Sequence, residues 1–175
     1  KLIVPLLELL EYPKDLRAEE FPVYGYEGSK ALKTKAADFL QFTSNQFDKY
    51  RGKTDLEVDW VYKHSLLVFE AKKPTEKVLV KGQPVFYSAW TKSVAYMISN
   101  GINIEGYIVN ANYSDTCVFS CRVEEIPEKW EEINLLNYDR ILELKKSSDE
   151  KDKWTNRDIY EKYKNAMRVH CTEEL

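Results

Sequence analysis

The stretch "SLLVFEAKKP", residues 65–74, decides how the chain is read. Four apolar residues lead into Glu70, Ala71 and Lys72, and Pro74 ends the run. On a strand, residues i and i+2 share a face, so Glu70 and Lys72 project together while Ala71 points away with Leu67 and Phe69. A strand apolar on both faces belongs in the middle of a sheet. Its turn from apolar to charged then marks an edge of the core that solvent or a ligand can enter. A second Glu-x-Lys, Glu143 to Lys145 in "ILELKK", falls in a helical pattern, where i and i+2 do not face the same way.

The rest of the chain supplies an α/β frame around this strand. "LIVPLLELLEYP" carries leucines at helical spacing up to Pro13, which predicts a short helix over residues 3–11. "EEFPVYGYEGSK" reads as a first strand entering a glycine turn, and "KAADFLQFT", residues 35–43, as a second. The polar segment that follows, through Asp59, reads as an insertion in a hairpin, and "WVYKHSLLVFEAK" as the third strand. Between Lys81 and Asn100, Phe86, Trp90, Val94 and Met97 recur at helical spacing, with Pro84 in the first turn and Gly101 after the end. "INIEGYIVNA" and "DTCVFSCRV" read as two more strands. "IPEKWEEINLLNYDRILELKK" and "TNRDIYEKYKNAM" read as two terminal helices separated by the charged linker "SSDEKD". The expected organisation is a mixed-sheet core over residues 1–123 with a helical appendage over 124–175, packed on the same domain.

Composition narrows the chemistry. With 175 residues and 43% hydrophobic content the chain can bury one sizeable core. The apolar run "LIVPLLELL" is broken by Pro5 and Glu8, too short to span a bilayer and without a cleavage signature, which points to the cytoplasm and to no membrane partner. Cys117, Cys121 and Cys171 form no paired framework, and Cys117 and Cys121 are expected as free buried thiols on one face of a strand. Two histidines, His64 and His170, and no Cys-x-x-Cys argue against zinc. There is no "GxSxG" elbow and no "GxxxxGKS" phosphate loop. The net charge is −3, but residues 29–81 carry eleven Lys or Arg against seven Asp or Glu, while residues 124–153 carry six against ten. Basic character therefore gathers around the Glu70 motif, which permits a polyanion to approach that side.

A carboxylate and an ammonium on one strand face can be a salt bridge or part of a metal site. Mg²⁺ takes oxygen ligands in octahedral array, commonly one or two carboxylates with water and substrate phosphate. Glu70 could supply one ligand, the Ala71 backbone carbonyl another, and Asp38, at the opening of the preceding strand, a third. Asp59 is the alternative partner, although Asp55 and Glu57 would share its row if it lay on a strand, and buried like charges repel. Lys72 could hold or deprotonate a water and offset charge developing on a phosphate.

"AADFLQF", "LLVFEAKKP" and "GQPVFY" together resemble the nuclease domain at the N-terminus of type I restriction enzyme motor subunits, a branch of the PD-(D/E)XK nuclease superfamily. The resemblance covers about residues 2–112. It implies a restriction-endonuclease-like fold and hydrolysis of DNA phosphodiesters with Mg²⁺, for which Mn²⁺ can substitute. Residue by residue, it implies Asp38 and Glu70 as metal acids, Lys72 as the catalytic lysine, and Gln83 with Tyr87 as the Gln-x-x-x-Tyr feature. Lys73 and Tyr87 would meet substrate, and "SNG", residues 99–101, is similar to the next landmark. Glu8 is the candidate for the acid that many members carry on a first helix. The implied partners are DNA and a motor or specificity subunit or domain.

Overall fold

The computed structural model describes residues 2–27, 30–51, 58–75, 81–110 and 114–151. It contains a six-stranded sheet whose strands lie side by side in chain order: β1 (Arg17–Glu27), β2 (Lys30–Phe42), β3 (Ser65–Ala71), β4 (Ala95–Ser99), β5 (Asn103–Val109) and β6 (Asp115–Arg122). All neighbours are antiparallel except β3 and β4, which run parallel. The helices are α1 (Ile3–Leu9), α2 (Val58–His64), α3 (Gly82–Thr91), α4 (Trp130–Ile133) and α5 (Tyr138–Lys151). This is an α/β fold with a mixed sheet between two helical layers.

Strand alternation divides the core in two. On one face Leu67, Phe69, Ala95, Met97, Ile104 and Phe119 pack against Leu6, Leu7 and Leu10 of α1 and against Ile133, Leu136 and Ile141 of the C-terminal helices. On the other, Leu40, Phe42, Val68, Tyr96 and Ile98 meet Tyr87 of α3, Val61 of α2 and Phe47. β3 is buried on both faces from Ser65 to Glu70, as its doubly apolar sequence requires. Gly106 on β5 has no room for a side chain: a Cβ there would lie 2.3 Å from Phe119 and 2.6 Å from Leu136.

Several elements depart from the sequence reading. The helix expected to run from Lys81 to Asn100 ends at Thr91, where Lys92 takes a left-handed backbone (φ 52°). Val94 and Met97 therefore do not continue its stripe. They belong to the chain entering and forming β4, a strand the helical spacing concealed. Parallel pairing of β3 and β4 needs a crossover of a dozen or more residues, and α3 is that crossover. The expected insertion after the second strand holds a 3-10 segment, Asn45–Tyr50, and α2, so "WVYKH" is helical and the strand begins only at Ser65. Trp60 of α2 stacks on Tyr50 at 4.4 Å and on His64 at 4.6 Å. Those ring contacts override the β-preference of its neighbours.

The first C-terminal helix is interrupted. Asn137 adopts an extended conformation and its Oδ1 accepts the Arg140 N–H, which ends one short helix and caps α5. Most of "SSDEKD" lies inside α5 and is not a linker. The helix expected over "TNRDIYEKYKNAM", with Cys171 and His170, lies outside the described residues. Cys117 and Cys121 are free, but a register shift between Gly106 and Tyr107 separates their environments: Cys121 is buried and Cys117 is exposed. Among the described residues no helix is long and apolar enough to cross a membrane.

Candidate active site

The site lies at the end of β3, where three strands part. β2 pairs with β3 from Phe42 back to Phe39 opposite Phe69, and the ladder stops there. One residue on, Asp38 and Glu70 stand next to each other on neighbouring strands, on the face shared by Leu40 and Val68. Asp38 Oδ2 accepts the Ala71 N–H at 2.7 Å, so a side chain closes the ladder where the backbones diverge. On the other side, the Lys72 N–H donates to the Ser99 carbonyl at 2.7 Å, extending the parallel pairing beyond the strand and fixing the backbone of Lys72.

Glu70 is the most constrained group in the site. It is only 5% exposed. Its Oε1 accepts from the Lys72 ammonium at 2.9 Å, while Oε2 is buried with no hydrogen-bond partner. Burial raises its pKa above the usual value, and the neighbouring Asp38 adds to the rise; the Lys72 hydrogen bond opposes it. An orphaned, desolvated carboxylate oxygen costs free energy wherever it occurs. Together with Asp38 it offers the hard oxygen donors that a divalent cation takes, and such a cation would satisfy the orphan.

α3 supplies the remaining wall. Gln83 is in its first turn and its Oε1 accepts a hydrogen bond from the Lys72 ammonium. The ammonium is thus held between Glu70 and Gln83, and its side chain is 11% exposed. Tyr87 follows one turn later and is buried. Burial and the nearby carboxylates of Glu70 and Asp38 push its phenol up to about 12, while a hydrogen bond to Gln83 pulls the other way. At neutral pH it is therefore an uncharged donor beside two acids.

Asp38, Glu70, Lys72, Gln83 and Tyr87 thus come together. Ala71 lies between the two charged residues and contributes its amide to Asp38. Lys73 is exposed on the segment leaving the site. Asp59 does not join them: it is exposed on α2, which precedes the opposite end of β3 from Glu70. Glu8 is exposed on α1, whose packed residues lie on the other face of the sheet from Glu70. Among the described residues no group of three or more His, Cys, Asp or Glu gathers closely enough to hold a metal unaided.

Two contacts were not anticipated, the Asp38 link to the Ala71 amide and the Lys72 link to Ser99. Only the second had a sequence signal, the turn residues that follow Ser99. Asn100 Oδ1 accepts the N–H groups of Ile102 and Asn103 at 3.0 and 2.7 Å, and Gly101 takes φ 82°, so the chain turns sharply beside the site.

No family model matches the chain, and no solved structure does. A UDP-N-acetylmuramoylalanine–D-glutamate ligase of Vibrio parahaemolyticus is 42% identical over 52 residues, which are 30% of this chain. The chain spans 12% of that protein's length.

Proposed function

We propose that the chain is a metal-dependent DNA endonuclease domain that hydrolyses phosphodiesters, of the restriction or related defence kind that its resemblance to PD-(D/E)XK domains implies. The observation that carries the reading is the orphaned Glu70 oxygen beside Asp38, at a strand end where Lys72 is held against Gln83. A plain salt bridge would explain Glu70 and Lys72. It does not explain a second carboxylate at the same strand end or an unsatisfied oxygen.

Asp38 and Glu70, with the Ala71 carbonyl, would hold Mg²⁺ or Mn²⁺. When bound, the ion supplies Lewis-acid activation of a water and neutralises charge at the phosphate. The chain's own groups do the rest. Lys72 offsets negative charge growing on the non-bridging phosphate oxygens as the new P–O bond forms and the old one breaks. Gln83 keeps the ammonium in one position, which removes reorganisation at the moment of reaction. Tyr87, neutral at working pH, donates a hydrogen bond at the edge of the site.

The test is incubation of plasmid, linear duplex and single-stranded DNA with the protein and Mg²⁺ or Mn²⁺. The expected result is cleavage that EDTA stops and Glu70→Gln abolishes. DNA binding without cleavage under every metal condition would instead favour a non-catalytic binding module built on the same residues.

A further inference from the structure

We propose that the outer part of the β1–β2 hairpin is an arm that grips duplex DNA beside the carboxylates. The inference rests on the nuclease reading for its ligand, but its evidence is separate. β2 pairs with β3 over Phe39 to Phe42 alone, whereas its pairing with β1 continues outward from Phe21↔Ala37 to Glu27↔Lys30. The hairpin therefore leaves the sheet as a two-stranded ribbon. It departs at Asp38, which forms the root of the ribbon and one side of the site. Phe21, Val23 and Ala37 are still buried in the core, so the projecting part runs from Tyr24↔Lys33 to Glu27↔Lys30, about 10 Å at a rise of about 3.3 Å per residue.

A two-stranded ribbon outside a sheet has little core of its own to justify it. Its composition suits a polyanion. The strand residues of this stretch include Lys30, Lys33 and Lys35 against the single acid Glu27, with Tyr24 and Tyr26 interleaved. Register places Tyr24 opposite Lys33, Tyr26 opposite Ala31 and Glu27 opposite Lys30. The slip between Pro22 and Tyr24 puts Lys35 in a bulge near the root. A twisted β-ribbon fits the DNA major groove, and lysines along it can neutralise successive phosphates. Pro22, which cannot donate to a ladder, is tolerated because β1 is an edge strand. The arm would orient a duplex so that a phosphate reaches Asp38 and Glu70.

The experiment measures binding of a fluorescent 30-base-pair DNA duplex by anisotropy, with Ca²⁺ replacing Mg²⁺, over a range of salt concentrations. The full chain is compared with the triple variant Lys30→Gln, Lys33→Gln, Lys35→Gln. Each lost phosphate contact makes the slope of log Kd against log salt shallower by about 0.9, so the triple variant should lose about 2 to 3 units of slope and bind at least tenfold more weakly at moderate salt. If circular dichroism shows the triple variant unfolded, Lys33→Gln alone should lose about 0.9. An unchanged slope in a folded variant overturns the arm. Failure of the unmodified chain to bind duplex DNA also overturns it, and so does a slope change seen with duplex RNA alone. Binding with the expected slope change but no cleavage in Mg²⁺ sinks the hydrolytic reading and leaves the arm supported.

Discussion

Asp38 on β2 accepts the backbone N–H of Ala71 on β3 at 2.7 Å, at the point where the two strands stop pairing. One carboxylate is thus both a structural link and a proposed metal ligand, and substitutions separate the roles. Asp38→Asn keeps an acceptor for the amide and should melt near the unmodified protein, whereas Asp38→Ala should lose about 1 kcal/mol of stability. Both should lose cleavage and Mn²⁺ binding. Calorimetric Mn²⁺ titration and thermal melts check this, and full Mn²⁺ affinity in Asp38→Asn would sink the assignment.

Glu70 carries a pH signature. Its folded-state pKa is raised above the ordinary 4.5, so ionisation opposes folding. Stability from this group is complete below 4.5 and declines as pH rises through the raised value. Glu70→Gln removes the buried charge while keeping an acceptor for Lys72. At pH 7.5 the variant should melt at or above the unmodified protein, and the advantage should shrink as pH falls toward 4.5, while cleavage stays absent throughout. Melts across that range decide it; a variant markedly less stable at pH 7.5 would show that the Lys72 contact outweighs desolvation.

Lys72 and Gln83 should differ in degree. Loss of the ammonium in Lys72→Ala should abolish cleavage with the fold retained. Gln83→Ala removes only the group that steadies the ammonium, and should slow cleavage by about 1 to 3 kcal/mol of barrier. Single-turnover rates with saturating metal make the comparison. Equal rates for Gln83→Ala and the unmodified protein would reduce Gln83 to a helix-start residue.

Lys145 tests the fold without reference to chemistry. Its buried ammonium donates to the carbonyls of Tyr62 at 2.6 Å and Lys92 at 2.8 Å, tying α5 to α2 and to the end of α3. Lys145→Met fills similar volume but leaves both carbonyls short of a donor. A loss of about 2 kcal/mol is expected, which for a chain of this size lowers Tm by roughly 4 to 8 °C. A Tm within 1 °C of the unmodified protein would contradict it.

How much of this was readable in advance depended on whether a signal was local. Glu70 and Lys72 were legible because a strand has a period of two and the preceding residues are apolar on both faces. Gln83 and Tyr87 came from the resemblance and not from a local pattern, and the helical turn between them puts both over the same edge of the site. β4 was not legible, since Val94 and Met97 happen to prolong the spacing of Phe86 and Trp90. The break that matters is a left-handed Lys92, which no glycine announces. α2 was misread because Trp, Val and Tyr favour strands in isolation and only the stacking on Tyr50 and His64 decides otherwise. The two Glu-x-Lys tripeptides make the same point. Glu70 and Lys72 meet, whereas on α5 Glu143 is exposed and Lys145 is buried.

The side-by-side order of the strands has a bearing on how the chain reaches this state. Because each strand lies next to its predecessor, no strand must wedge between two that have already paired, and every new one adds to an open margin. Sequence-local pairing lowers the entropy lost in closing loops and favours rapid folding. The sheet can therefore grow in the direction of synthesis. Closure waits for the last described helices, when the Tyr138 N–H reaches the Leu10 carbonyl at 3.0 Å and the Tyr12 hydroxyl donates to the Leu136 carbonyl at 2.8 Å. A nascent chain halted before Leu136 would hold Asp38, Glu70 and Gln83 in sequence but leave one side of its sheet uncovered, a state open to chaperones and proteases.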